Sequence, residues 1–256
     1  MWTISEIYRS IQGEGLRVGR PSTFVRFAGC PHRCTWRCQK PQARGRTLAA
    51  FVDCDQGKAL GIEGARAVPD AGALWRWFSN VVKPYDDIVL TGGEPTEQSL
   101  DQLCESGDWL KFISPLHVTL ETCGSNPVSI RYVNLLSISP IIMTENFRQE
   151  DMRGIAARVV ELIQANPQAQ TQLKFTMAHV DDFKIIKSFA NQLFSRLTYA
   201  KTAGIHLMIM PVSLSPNHYD LLTRQIIDEI ILADTGLDVR LCDRLQYRLW
   251  KGEATR

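Results

Sequence analysis

The sequence predicts an α/β fold, a partial (β/α)6 barrel on a mostly parallel sheet. Three observations predict it. Short apolar runs alternate with amphipathic stretches, the pattern of strands joined by helical crossovers. Glycine-bearing turns directly follow several of these runs, at Gly29-Cys30, Thr91–Pro95 and Glu121–Gly124, and a parallel sheet gathers its ligands at such strand ends. No internal repeat or low-complexity segment breaks the alternation, so one domain over residues 1–256 is expected. Six strand–helix units fit an open or partial barrel better than a closed eight-unit one.

In chain order, strands are expected at Ser22–Phe27, Asp87–Leu90, His117–Glu121, Leu135–Ser139, Gln172–Met177, His206–Met210 and Asp238–Leu241. Helices are expected at Ala71–Val82, Glu97–Ser106, Met152–Gln164, Val180–Leu193 and Pro216–Ala233. Ile155, Val159, Val160 and Ile163 fall on one face of the third of these, and Asn166-Pro167 stops it. Ser215 is a good N-cap, with proline at the first helical position. Residues 37–53 open basic and turn-rich and close apolar, and they read as a loop excursion.

Composition excludes several classes. The chain is 45% hydrophobic and 22% charged, an ordinary globular balance. A net charge of +2 calls for neither nucleic acid nor an acidic membrane. No apolar run approaches the roughly 18 residues of a membrane helix. The opening Met1–Glu6 lacks the layout of a signal peptide, so a cytoplasmic location is expected.

Four of the seven cysteines, Cys30, Cys34, Cys38 and Cys54, fall within 25 residues. In a reducing compartment such clustering points to metal or chemistry rather than disulfides. Cys104, Cys123 and Cys242 read as small buried hydrophobes. Gly29-Cys30-Pro31-His32-Arg33-Cys34 follows the strand Phe24–Phe27, and loop thiolates of this kind hold iron–sulfur clusters. Three thiolates on a four-iron cluster leave one iron open to a ligand. A zinc site remains open as well, because Cys30, His32, Cys34 and Cys38 also make a tetrahedral donor set.

Other segments carry further chemistry. Gly92 and Gly93 in Thr91-Gly92-Gly93-Glu94-Pro95 remove side chains where a ligand must come close. Glu94 can accept from an ammonium group or serve as a helix N-terminal acid. Lys174, on a buried-looking strand, needs a partner. Arg26 sits mid-strand, either facing solvent or offering its planar fork to a carboxylate. With Glu6–Gly15, a strand like Phe24–Gly29, the cysteines, Glu121-Thr122-Cys123-Gly124, Leu173-Lys174 and Met208–Pro211, these segments resemble in order the 7-carboxy-7-deazaguanine synthase family. That family belongs to the radical S-adenosylmethionine (SAM) enzymes, and the likeness runs from about Ser5 to Trp250.

The resemblance implies a radical-SAM-type barrel carrying a [4Fe-4S] cluster and SAM. It implies a lyase that turns 6-carboxy-5,6,7,8-tetrahydropterin into 7-carboxy-7-deazaguanine with loss of ammonia, in queuosine-type 7-deazapurine biosynthesis. By the same resemblance, Cys30 and Cys34 are cluster ligands, with a third from Cys54 or Cys38. Excising Arg37–Asp53 restores the family spacing and puts Asp55 after Cys54, which favours Cys54. Gln56 then stands where the family has a magnesium-assisting threonine, and Ile141 stands where it has a lysine. Gly92, Gly93, Glu94, Ser139 and Lys174 are implied to meet SAM. Ile11, Gln12, Gly13, Glu14, Arg26 and Thr91 are implied to meet the carboxypterin. A flavodoxin-like or other electron donor and a homodimer are implied as partners. Two other readings stay open: a different radical SAM reaction, and a non-enzymatic zinc-binding relative.

Overall fold

The structure is a computed structural model that describes residues 1–32, 34–41, 47–53, 64–105, 107, 113, 115–144, 147–148, 151–212 and 215–250. The elements run β1 (Trp2–Ile11), β2 (Pro21–Phe27), β3 (Thr35–Pro41), β4 (Thr47–Asp53), β5 (Arg66–Val68), α1 (Ala71–Phe78), β6 (Asp87–Gly92), α2 (Leu100–Glu105), β7 (Val118–Thr122) and β8 (Leu135–Ile138). They continue α3 (Met152–Ala165), β9 (Gln170–Met177), α4 (Phe183–Phe194), α5 (Tyr199–Ala203), β10 (Ile205–Pro211), α6 (Pro216–Ile226), β11 (Val239–Leu241) and α7 (Leu245–Trp250).

A nine-stranded sheet has the order β11-β10-β9-β8-β7-β6-β2-β1-β5. Every neighbouring pair from β2 to β11 is parallel. β1 and β5 add antiparallel strands at one end, so the sheet is a partial barrel, open between its first and last strands. The expected units are present, with β11 as a short seventh parallel strand.

β2, β6, β7 and β8 are buried almost throughout, as expected of strands covered on both faces. Phe27, Phe78, Phe175 and Phe189 are fully buried, and Phe175 meets Phe189 edge to face at 5.9 Å. Burying each such side chain contributes about 1.5–3 kcal/mol. On α3, Val159, Val160 and Ile163 are buried as the sequence pattern predicts, with Ile155 packed against them. The Ser215 hydroxyl caps α6 by accepting from His218 N at 3.3 Å.

Some boundaries differ from the sequence expectation, each for a local reason. α1 stops at Phe78 because the Asn80 amide takes the Arg76 carbonyl at 2.6 Å, ahead of a pre-proline stretch that disfavours helix. The helix expected from Glu97 starts at Leu100. Gln98 is held extended because its side chain pairs with both polar groups of the Thr3 backbone and with Ala28 O. α6 ends at Ile226 and passes into one π-helical turn, Ile227–Ile231. β1 and α7 were not expected. The segment read as a loop excursion is a two-stranded hairpin, β3 paired with β4 from Thr35↔Asp53 to Pro41↔Thr47. No helix among the described residues is long and apolar enough to cross a membrane.

Candidate active site

A cleft of about 340 Å³ opens at the C-terminal ends of the parallel strands. It receives Arg26 from β2, Thr91 and Gly92 from β6, Glu121 and Thr122 from β7, Lys174 from β9 and Met210 from β10. The loop after β1 adds Gln12, Gly13 and Glu14, and the loop after β2 adds Cys30, His32 and Cys34. A chain that leaves each strand at one end of the sheet must bring these positions together, whatever their separation in sequence.

The turn after β6 is built against the cysteine loop. Gly93 N donates to Phe27 O and Glu94 N donates to Gly29 O, both at 2.9 Å. Gly92 has φ +129, and a Cβ there would lie 2.2 Å from Phe27 O. A Cβ on Gly93 would lie 2.0 Å from Gly29 O. These glycines therefore permit a close approach of the protein's own backbone, and both also line the cleft. Cys30 and Glu94 stand at the same end of the sheet as a result.

Glu94 is buried and caps the single turn Pro95–Glu97. Its Oε1 accepts from Thr96 N, the Thr96 hydroxyl and the Thr122 hydroxyl at 3.1, 2.7 and 2.6 Å. Its Oε2 accepts from Cys123 N at 2.7 Å. All these donors are neutral, and among the described residues no cation pairs with this carboxyl group. Burial, then the neighbouring Glu94, pushes the Cys123 thiol far above the usual range and keeps it neutral. Ser139 lies beside this turn, its N–H donating to Thr122 O at 2.8 Å. Ile141 also lines the cleft and offers no polar side chain there.

The opposite wall is charged. Lys174, 5% exposed, donates to Glu14 Oε2 at 2.9 Å and lies 3.8 Å from Glu121 Oε1. The partner of Lys174 is thus Glu14, on the loop after β1. Arg244 Nε and Gln246 Nε2 donate to Glu14 Oε1 at 3.1 and 2.9 Å. Burial works to raise the Glu14 pKa, but Lys174 and Arg244 outweigh it and hold the carboxyl at about 2. Burial likewise works against the Lys174 charge, and Glu14 and Glu121 overcome it, raising its pKa. Glu121 accepts from the Gln12 amide at 3.1 Å and from the Thr91 hydroxyl at 2.8 Å. The Gln12 amide oxygen accepts from Glu14 N at 3.2 Å, which fixes which way that amide points.

Arg26 forms the third side. Its Nε donates to Glu6 at 2.7 Å and its Nη2 to the Tyr8 hydroxyl at 2.8 Å. Tyr8 stacks on Phe24 at 5.0 Å, and both rings line the cleft. With its side chain 19% exposed, Arg26 faces this cleft rather than open solvent.

Thiols suit a soft metal group, although among the described residues no three His, Cys, Asp or Glu side chains gather to hold an ion. Cys30 and Cys34 bring two thiols to the cleft. Between them, His32 Nε2 is buried with no hydrogen-bond partner among the described residues, an orphan that a bound anionic group would satisfy. Cys54 and Gln56 lie outside the described residues. Cys38 lies in β3, its backbone opposite Ala50.

All the other residues singled out from the sequence line the cleft: Ile11, Gln12, Gly13, Glu14, Arg26, Thr91, Gly92, Gly93, Glu94, Ser139 and Lys174. Sequence reasoning missed Tyr8, Arg244 and Gln246. Tyr8 sat inside a quoted segment, whereas Arg244 and Gln246 follow β11 with no motif to mark them.

No family model matches the chain. It is 28% identical over 250 residues to the 7-carboxy-7-deazaguanine synthase of Pyrobaculum aerophilum, covering 96% of this chain and 94% of that one. It is 29% identical over 262 residues to the enzyme of the same name from Rhodopirellula baltica, covering 97% and 86%. Among solved structures it is similar to the crystal structure of QueE from Escherichia coli, with a TM-score of 0.55 and 20% identity over 94% of this chain and 93% of that one. The last likeness is one of fold.

Proposed function

We propose that this chain, similar over nearly its whole length to 7-carboxy-7-deazaguanine synthases, is a radical SAM lyase. It would convert 6-carboxy-5,6,7,8-tetrahydropterin to 7-carboxy-7-deazaguanine with release of ammonia. One observation carries the reading: a thiol loop, a carboxylate held by neutral donors and a charged, hydrogen-bonding wall converge on one cleft at the C-terminal ends of the strands. Cys30 and Cys34 would hold a [4Fe-4S] cluster, with Cys54 or Cys38 as third ligand. Bound together, cluster and SAM supply one-electron reduction and hydrogen-atom abstraction, while the protein places and shields the reactants.

Each wall has its own task in this reading. Glu94 receives the amino group of the methionine part of SAM, beside Gly93 and Ser139. Arg26, held by Glu6 and Tyr8, presents its guanidinium to the substrate carboxylate. Gln12, Thr91 and Glu121 read the polar edge of the heterocycle. The stacked Tyr8 and Phe24 rings give its flat face an apolar surface and exclude water. Lys174 keeps Glu14 and Glu121 from repelling each other across the cleft.

Anaerobic purification, reconstitution with iron and sulfide, and assay with the carboxypterin test the proposal. The wild type is expected to hold a four-iron cluster and to form the deazaguanine product. Arg26→Ala is expected to keep cluster and SAM cleavage and to lose about a hundredfold in turnover of the carboxypterin. Cys54→Ser should lose the brown chromophore and Cys38→Ser should keep it. A wild type that takes up zinc and no iron refutes the enzyme.

A further inference from the structure

The C-terminal segment meets the loop after β1 at several independent points. Arg244 and Gln246 both donate to Glu14 Oε1. Leu245 N donates to Gly13 O at 2.9 Å, and Gly15 N donates to the buried Cys242 sulfur at 3.2 Å. Gln246 packs so closely on Gly13 that a Cβ there would fall 1.5 Å from its Oε1. β1 and β11 lie toward opposite ends of the open sheet, so these contacts bridge the gap that the partial barrel leaves.

The bridge is itself braced. Asp243 accepts from the Tyr219 hydroxyl at 2.7 Å and from Arg248 Nε at 2.8 Å. Arg244 N donates to the same Asp243 at 2.8 Å. Tyr219 is anchored in α6 with 1% exposure. Arg244 therefore reaches Glu14 from a fixed base.

We propose that Arg244 and Gln246 are positioning residues for the carboxypterin, acting through Glu14. The path is short. They fix the Glu14 carboxylate, the Glu14 N–H holds the Gln12 amide oxygen, and the Gln12 amide nitrogen is thereby turned to Glu121 and the cleft. A slack Glu14 frees that amide to rotate and blurs the hydrogen-bonding edge that meets the heterocycle. The proposal rests on the reading of the activity given above.

The test is steady-state kinetics and equilibrium binding on the reconstituted wild type and on Arg244→Ala, Arg244→Lys and Gln246→Ala. Arg244→Ala should raise KM and Kd for the carboxypterin about tenfold. It should leave kcat within about threefold and SAM affinity unchanged. Arg244→Lys should recover part of the loss, because a point charge replaces only some of the fork. Should Arg244→Ala fail to fold, the lysine and Gln246→Ala variants carry the same comparison. A lowered unfolding temperature with wild-type KM and Kd would mean a brace only, and would overturn the proposal. A wild type that turns over the carboxypterin beside variants that match it sinks this inference alone. A wild type that never binds the carboxypterin sinks the reading beneath it as well.

Discussion

The two walls of the cleft hold their buried carboxylates by opposite means. Glu94 is held by four neutral donors, two from Thr96 two positions away and two from Thr122 and Cys123 at the end of the neighbouring strand. Glu14 is held by two cations and an amide from residues 160 to 232 positions away. A carboxylate satisfied by neutral dipoles still attracts an incoming cation, such as the ammonium of an amino acid. A carboxylate already neutralised by Lys174 and Arg244 has become framework. The same residue type is a receptor on one wall and a strut on the other, and its partners decide which.

Two glycine-to-alanine changes break the comparison most sharply. On the Glu94 wall, Gly93→Ala drives a Cβ to 2.0 Å from the carbonyl oxygen of Gly29, backbone that carries Cys30. Backbone has nowhere cheap to go, so the cysteine loop should be displaced and iron uptake should fall at least about tenfold after reconstitution. On the Glu14 wall, the atoms nearest a Gly13→Ala Cβ are the amide end of Gln246. That side chain can swing away, at a cost of about 1.5–3 kcal/mol for a lost hydrogen bond to a charged group. Equal iron content in Gly93→Ala and wild type would mean that the turn and the thiol loop are not locked together.

A charge deletion sharpens the difference on the Glu14 wall. Lys174→Met removes the cation between Glu14 and Glu121 and leaves both carboxylates in the cleft. Breaking a buried pair from one side costs about 3–5 kcal/mol, measured by denaturant unfolding of the cluster-free chain. The double variant Glu14→Gln, Lys174→Met should recover much of that loss, because the uncompensated charge is gone. Additive losses would show that the two residues are not a pair in solution.

How far each wall could be read beforehand follows from the same difference. Gly92, Gly93 and Glu94 are contiguous, and Cys30 and Cys34 are four positions apart, so their chemistry is visible as a short string. Gln12 and Arg26 were visible for the same reason. The partners of Glu14 and Lys174 were not, since an ion pair over 160 residues exists only after the sheet has folded. Arg244 and Gln246 left no signal, because one arginine and one glutamine after a short strand look like any surface. The parallel strands were legible within about two residues as apolar runs. β1 was not, because Glu6 and Arg9 interrupt its apolar alternation and a register shift between Ile4 and Glu6 breaks its period. The hairpin β3–β4 was hidden by the basic, turn-rich character of its first half.

The last difference is a pH dependence that belongs to one wall. The Glu14 carboxyl titrates near 4.5 when unfolded and at about 2 in the fold, because Lys174 and Arg244 overcome the effect of burial. A depressed folded pKa means that the stabilisation is fully present above about pH 4.5. It is lost as pH falls toward 2, because the unfolded chain takes up its proton first. The shift corresponds to about 3 kcal/mol. Asp243, in the segment that bridges to Glu14, also titrates below its ordinary value: burial raises it, and hydrogen bonds from Tyr219 and Arg248 outweigh that. The wild-type acid limb therefore contains more than one group, and the informative quantity is the difference between wild type and Glu14→Gln. Chemical unfolding of the cluster-free chains should give stabilities a constant distance apart above about pH 4.5 that draw together as pH falls from 4.5 to 2. Parallel curves across that window would place Glu14 in solvent rather than between Lys174 and Arg244, and would remove the strut from the charged wall.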